Sequence, residues 1–171
     1  MKEHEGMLFS ASQAARIIGA NSPNIMSVWV NRGLLTPSNV INLSSKKRVF
    51  EFSYFNLFQA AILKELGDYF LIQYEFLNKL KGVEKGLGNK KLEHAIKTGK
   101  GFLVITDRAH SGNVEESSIK TKVEENIEVE LVEKPADILR QVASSGCLLV
   151  LNIAKIAKRL EKGIVENRDV D

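Results

Sequence analysis

The sequence is short of the residues on which several protein classes depend. Its 171 residues include one cysteine, Cys147, and three histidines. One thiol excludes an internal disulfide framework, and these four side chains have no zinc-ligand spacing. No nucleophile, base and cation converge in the sequence. We therefore expect neither an enzyme nor a cofactor or metal site.

Long apolar runs are also missing. No run approaches the roughly 20 residues that a membrane-spanning helix needs. The first six residues, MKEHEG, include three charged side chains, and no apolar signal segment follows them. A reducing compartment suits a chain with a single cysteine. These features predict a cytoplasmic protein.

The excess of positive charge is small, at +3 for the whole chain. It is unevenly distributed, however. Residues 1–66 hold seven Lys/Arg against four Asp/Glu, residues 67–100 hold seven against four, and residues 101–171 hold ten against thirteen. The basic part is thus the first hundred residues, where a partner with negative charge would bind.

What the sequence does contain is a series of short elements between Phe9 and Leu66. The first is a helix that Ser10 or Ser12 can cap, with Gln13 placed for a capping box. Gly19 follows its last apolar residue, where a left-handed cap is easiest. The apolar positions of this helix are Ala11, Ala14, Ala15 and Ile18.

A second helix is expected directly after Ser22, because Pro23 suits the first helical position. Gly33 ends it. Core positions recur every three or four residues, at Ile25, Met26, Trp29 and Val30, and Leu34 and Leu35 return to the core. The outward positions carry short polar or cationic groups that can reach phosphates and base edges, namely Asn24, Ser27, Asn31 and Arg32.

A hairpin with a cationic tip and a third helix follow. Two short apolar, β-prone runs flank Lys46, Lys47 and Arg48, which could contact a phosphate backbone or simply keep the tip solvated. The third helix is expected over residues 53–66. Its buried stripe would be Phe55, Phe58, Ala61, Ile62 and Leu66.

In this order the segments resemble the N-terminal domain of the MerR family of transcription regulators. The likeness covers roughly residues 8–67. It rests on the turn Gly33-Leu34-Leu35, the wing motif Arg48-Val49-Phe50 and the Leu66-Gly67 end of the third helix. The resemblance implies a winged helix-turn-helix whose second helix enters the major groove of double-stranded DNA while the wing holds the backbone.

Ser27 stands where that family usually has an arginine, which shifts the expected phosphate contacts to Arg32 and the wing. The family also pairs through a long helix after the DNA module, and residues 68–81 fit such a helix. Packing against the chain's own C-terminal part is the alternative. Metal-sensing members carry cysteines near that helix; this chain has none there, so heavy-metal sensing is not expected.

After a glycine-rich stretch, the pattern of residues 101–171 predicts a small three-stranded α/β domain. The expected strands are Phe102–Thr106, residues 127–132 and Cys147–Asn152, and the last of these is expected to be buried on both faces. The expected helices are Ala136–Ala143 and Ile153–Leu160. A polar tail follows the second helix.

The fold class expected for the whole chain is therefore α+β. A winged helix-turn-helix domain (1–67) would be followed by a helical linker with a possible dimerisation helix (68–100) and an α/β dimerisation or sensor domain (101–171). The expected function is a DNA-binding regulator, a homodimer that could take an unknown small-molecule effector. An architectural DNA-binding protein of the phage or plasmid type and a protein-interaction adaptor stay open. The candidate DNA-binding residues are Ser22, Asn24, Ser27, Asn31, Arg32, Lys46, Lys47 and Arg48.

Overall fold

The structure is a computed structural model that describes residues 6–44, 47–70, 94–95, 97–98, 100–107, 127–139 and 147–168. The described chain is mixed α+β and forms two compact units. The first unit contains the N-terminal elements together with the last helix from Lys155 onwards, and the second contains the elements between them. Among the described helices, none combines the length and the apolar character that crossing a bilayer requires.

The first unit begins with a short strand that leads directly into a helix. Strand β1 (Phe9–Ser10) precedes helix α1 (Ala11–Ile17), and helix α2 (Ile25–Asn31) follows. Strands β2 (Asn39–Asn42) and β3 (Arg48–Phe52) form a hairpin, and helix α3 (Tyr54–Phe70) comes next. The three strands make an antiparallel sheet in the order β1-β3-β2. This sheet joins the residues before α1 to the hairpin.

The predicted signals around α1 are confirmed. Ser10 is the N-cap, its hydroxyl accepts the Gln13 N–H, and the Gln13 side chain accepts the Ser10 N–H at 2.9 Å. This reciprocal pair satisfies two donors that a helix start leaves open. Gly19 has a φ of 69°, and the N–H of Ala20 donates to the C=O of Ala15 at 2.9 Å. Together with the bond from the Gly19 N–H to the C=O of Arg16 at 2.9 Å, this bond ends α1 in a Schellman motif, for which glycine is the residue of lowest strain.

The third helix is longer than expected and buries a wider stripe. It extends to Phe70 rather than ending at Leu66. Phe58, Ala61 and Leu66 are buried as predicted, whereas Phe55 and Ile62 are only half-buried. The stripe also includes Leu57, Ala60 and Leu63. Most of the expected dimerisation helix, residues 71–81, lies outside the described residues.

The last helix, α4 (Ile153–Arg168), corrects the prediction of a polar tail after Leu160. Its buried face continues to Ile164, one turn beyond the predicted end. Gly163 lies against the end of α1, and Arg159 forms an ion pair with Glu65 of α3. From Lys155 onwards, α4 therefore belongs to the first unit, whereas the sequence placed it in a separate C-terminal domain.

The second unit contains a three-stranded antiparallel sheet. Strands β4 (Phe102–Asp107), β5 (Ile127–Val132) and β6 (Cys147–Asn152) are arranged in the order β5-β4-β6. The central strand is β4, where three successive residues, Leu103, Val104 and Ile105, are all buried. Burial of successive residues means that both faces of β4 are covered.

The prediction that β6 is buried on both faces is wrong. Leu151 is buried, but Val150 is 36% exposed. Successive residues of a strand point to opposite faces, so one face of β6 is covered and the other is accessible to water at Val150. Of the predicted helix Ala136–Ala143, the structure describes residues 135–139, which are helical and begin at Pro135.

Candidate nucleic-acid interface

The start of α2 differs from the prediction. The helix begins at Ile25 with Asn24 as N-cap, two residues after the expected start at Pro23. The Ile25 N–H donates to the C=O of Ser22 at 3.2 Å, which closes a turn, and the Ser22 hydroxyl accepts the Asn24 N–H at 3.3 Å. Proline suits the second position of such a turn as well as it suits a helix start. Ser22 and Asn24 therefore lie in an exposed turn before α2.

The two faces of α2 are distinct. Met26 is fully buried and Trp29 is 6% exposed, so both belong to the core as predicted. Ile25 and Val30, which were also placed in the core, are half-buried. Of the four outward positions, three are exposed, whereas Ser27 is half-buried. The exposed ones are Asn24, Asn31 and Arg32.

The end of α2 is fixed by backbone hydrogen bonds. Gly33 has a φ of 68°, its N–H donates to the C=O of Val30 at 2.9 Å, and the Leu34 N–H donates to the C=O of Trp29 at 2.8 Å. This is the same Schellman motif that ends α1. It turns the chain so that Leu34 enters the core while Arg32, the C-cap residue, stays at the surface.

The candidate residues on α2 therefore form two groups, one at each end. Ser22 and Asn24 precede the helix, whereas Asn31 is its last residue and Arg32 its C-cap; Ser27 lies between the two groups. A seven-residue helix is about 10 Å long, so the two groups are separated by about that distance. Helices α1 and α2 contact each other, and the seven residues 18–24 connect them.

The hairpin presents cations at its tip. Asn42 pairs with Arg48 at the end of the ladder, and the Leu43 N–H donates to the C=O of Lys47 at 2.9 Å. At this end of the ladder Lys47 and Arg48 are both exposed. Lys46, the third predicted cation of the tip, lies outside the described residues.

One buried amide ties the base of the hairpin to α3. Asn56 is 6% exposed, and it is the only polar residue among the buried described ones. Its Nδ2 donates to the C=O of Thr36 at 2.9 Å, and its Oδ1 accepts the backbone N–H of Ser53 at 3.1 Å and the hydroxyl of Ser38. The loop that enters β2 is thereby held against the start of α3. Burial of a polar side chain costs little when its hydrogen bonds are satisfied in this way.

Two features of the first unit were not predicted from the sequence. The apolar residues of β2, and the leucine that follows it, are exposed: Val40, Ile41 and Leu43 have relative exposures of 43%, 38% and 58%. Residues 40 and 41 point to opposite faces of a strand, so both faces of β2 are accessible. The second feature is a row of lysines on α4, which the net acidity of residues 101–171 concealed. The spacing of those lysines was the signal that could have revealed it.

No known protein-family model matches the chain, and no curated protein matches it. Within the described part of the chain, no group of three or more His, Cys, Asp or Glu residues could hold a metal ion. The site is therefore interpreted from its own geometry: a polar helix surface, an exposed cationic hairpin and a loop between them that Asn56 holds by hydrogen bonds.

Proposed function

We propose that the first unit is a winged helix-turn-helix and that the protein is a DNA-binding transcription regulator of MerR-like type. One observation carries the proposal: a pair of contacting helices and an exposed cationic hairpin belong to the same compact unit. DNA-binding modules of this kind place one helix in the major groove and use flanking elements to hold the backbone.

In this proposal α2 contacts base edges and the hairpin contacts phosphates. Asn31 and Arg32 offer the amide and guanidinium groups that pair with adenine and guanine edges. Ser22, Asn24 and Ser27 would contribute further polar contacts near the start of α2. Lys47 and Arg48, with Lys46 beside them, would neutralise the backbone without reading sequence.

For the whole protein, we propose a role in binding and not in catalysis. The protein would act in the cytoplasm, as a homodimer on a two-fold symmetric site. The second unit would contribute to dimer contacts or take a small-molecule effector. Native mass spectrometry with and without an operator duplex would test the dimer.

The decisive experiment is a fluorescence-anisotropy titration of the full chain on two duplexes, one of random sequence and one from upstream of its own gene, at several salt concentrations. A regulator binds the upstream duplex more tightly, and its affinity falls steeply with salt because bound cations are released. Absence of binding to both duplexes at low salt would overturn the proposal.

An architectural DNA-binding role is the second candidate, and the character of α2 favours it. Ser27 is short and half-buried where the resembling family carries an arginine, so α2 offers fewer phosphate contacts. Equal affinity for the two duplexes, with cooperative binding on long DNA, would support this role over that of a regulator.

A protein-interaction adaptor is the third candidate, and the exposed apolar residues of β2 favour it. Among the described strands β2 lies at an edge of its sheet, and Val40, Ile41 and the adjoining Leu43 give a surface that a partner protein could cover. Loss of a partner on substitution of these residues by threonine or serine, in a protein without affinity for duplex DNA, would support the adaptor.

A further inference from the structure

The outward surface of α4 is entirely cationic over two turns. Between Ile153 and Lys162, each exposed residue is a lysine or an arginine. The acidic residue of that stretch, Glu161, is half-buried and lies close enough to Tyr54 to affect its ionisation. The exposed residues are Lys155, Lys158, Arg159 and Lys162.

These cations share one face because their spacing follows the helix repeat. Residues three, four and seven positions apart lie on the same side of a helix. The opposite side carries the buried residues Ile156, Leu160 and Ile164. The cations span about 10 Å along the helix axis at 1.5 Å per residue. Their charge therefore faces water and does not contribute to the core.

Acidic residues offset part of this charge. Arg159 pairs with Glu65, whose side chain is only 14% exposed. Lys162 Nζ lies 3.5 Å from Glu166 Oε1, but both side chains are largely exposed, and exposed pairs of this kind contribute little because water and salt screen them. The four cations outnumber the three acidic residues beside them, Glu65, Glu161 and Glu166, so the face keeps a net positive charge.

We propose that this face of α4, the α4 lysines Lys155, Lys158 and Lys162, is a second contact surface for the phosphate backbone of duplex DNA. The inference rests on the proposed function and extends it beyond α2 and the hairpin. Two observations support it: α4 belongs to the same compact unit as those elements, and its charge is complementary to that of DNA. Duplex DNA carries about one negative charge per 1.7 Å of its axis, so a face of this length meets several phosphates.

Lysine is suited to such a contact because it carries a flexible point charge. It can follow a phosphate without the fixed geometry that a bidentate arginine contact needs. The α4 lysines would therefore raise the affinity for all sequences and add no sequence preference. They would also add to the number of counterions released on binding.

The test compares two triple variants of the full chain by anisotropy titration over a range of salt concentrations. The first, Lys155→Gln/Lys158→Gln/Lys162→Gln, removes the α4 lysines. The control, Lys97→Gln/Lys100→Gln/Lys134→Gln, removes three exposed lysines of the second unit, so both variants have the same net charge. For the α4 variant, the slope of log affinity against log salt should fall by about 0.9 for each phosphate that the protein no longer neutralises. The control should keep the wild-type slope.

Each other outcome overturns the inference. Equal reductions of the slope in both triple variants would mean that only net charge matters. An unchanged slope in the α4 variant, with a wild-type protein that binds DNA, would refute the α4 surface and leave the proposed function standing. A wild-type protein that binds no duplex would refute both. Glutamine and lysine have similar helix propensities, so the melting temperatures should agree.

A single substitution provides a test in the opposite direction if the triple variant folds poorly. Glu166→Gln removes the acidic neighbour of Lys162 from an exposed position. If the α4 face contacts phosphates, this variant binds duplex DNA more tightly than wild type at low salt, and the difference shrinks as salt rises. Unchanged affinity in Glu166→Gln would count against the surface.

Discussion

Gly163 lets α4 approach the end of α1 more closely than a residue with a side chain would allow. A Cβ added there would lie 2.5 Å from the carbonyl oxygen of Ile17 and 3.3 Å from its carbonyl carbon. Because both atoms are backbone, rotation of a side chain cannot relieve the clash. Overpacking of this kind typically destabilises a protein by about 1–3 kcal/mol, whereas the higher helix propensity of alanine stabilises it by about 0.8–1 kcal/mol. We therefore expect Gly163→Ala to destabilise the protein by about 1 kcal/mol.

Gly67 offers a matched control for this substitution. It also lies in a helix, α3, but no atom stands within 4 Å of an added Cβ. Gly67→Ala should therefore stabilise the protein by about 0.5–1 kcal/mol through helix propensity alone. Urea unfolding of the two variants measures the difference. Equal stabilisation by both would mean that α4 does not pack against α1 as closely as the structure indicates.

Tyr54, the first residue of α3, links stability to alkaline pH. Burial raises the pKa of its phenol to about 12, and the negative charge of Glu161 adds to the rise. Below the ordinary pKa of 10.0, the phenol is protonated in the folded and the unfolded chain and contributes no pH dependence. Between about pH 10 and 12 the unfolded chain loses the proton first, so stability falls as pH rises.

We therefore expect wild type to lose stability over this interval more steeply than Tyr54→Phe, as measured by urea unfolding. The phenolate absorbance difference between the two proteins should have its midpoint near pH 12. In Glu161→Gln the midpoint should move towards lower pH, because the charge that opposes ionisation is gone. A midpoint at the ordinary value in wild type would contradict the burial of Tyr54.

The hairpin β2–β3 is expected to bind phosphates through the charge of its cationic tip. We expect Lys47→Gln/Arg48→Gln to weaken binding to all duplexes about equally and to reduce the salt slope by up to about one unit for each cation that no longer meets a phosphate. Lys47→Arg/Arg48→Lys is the control, because it exchanges the two side chains and keeps their charge. If the Gln variant kept the wild-type slope, the hairpin would not be a phosphate-binding wing. Adding Lys46→Gln tests the third cation of the tip.

Elements with a start or stop signal of known chemistry could be predicted from the sequence. The Ser10–Gln13 capping box and the glycines after α1 and α2 were identified with their correct roles. Strands β5 and β6 have the predicted bounds. These features depend on backbone hydrogen bonds between residues close in sequence, so the sequence determines them locally.

The misplaced boundaries have physical reasons. The Ser22-Pro23 pair suits a turn and a helix start equally, and the turn is what forms. Helix α4 continues past Leu160 because Ile164 extends its buried face, but Gly163 beside it adds no apolar side chain to the pattern. The contact that makes this glycine useful lies about 150 residues away along the chain, at Ile17. Local periodicity cannot reveal such a contact.

For the whole molecule, the principal finding is that the candidate DNA-binding unit is discontinuous in sequence. Helix α4 starts at the end of β6, where the Ile153 N–H donates to the C=O of Gly101 at 3.2 Å, and from Lys155 it belongs to the first unit. The division of the chain into consecutive domains that the sequence predicts separates α4 from α1 and α3, which it contacts. It also assigns the α4 lysines to an acidic domain.

This organisation predicts which elements lose stability when a core residue of either unit is replaced. Leu160 of α4 is fully buried, whereas Leu103 of β4 is 5% exposed and belongs to the other unit. Each Leu→Ala change should cost about 2–5 kcal/mol, because it removes buried methyl groups and leaves a cavity. Leu160→Ala should reduce hydrogen-exchange protection mainly in α1, β3 and α3, and Leu103→Ala mainly in β4, β5 and β6.

The two leucines serve as controls for each other, since the substitution is the same and only its unit differs. Native-state hydrogen exchange followed by mass spectrometry resolves the effect element by element. If Leu160→Ala left α1 and α3 protected while β4 became less protected, α4 would belong energetically to the second unit, and the consecutive domain division would be correct. Reduced protection in α1 and α3 would establish that the residues after Lys155 stabilise the candidate DNA-binding unit. A fragment that ends before α4 would then be a poor substitute for the full chain in any binding assay.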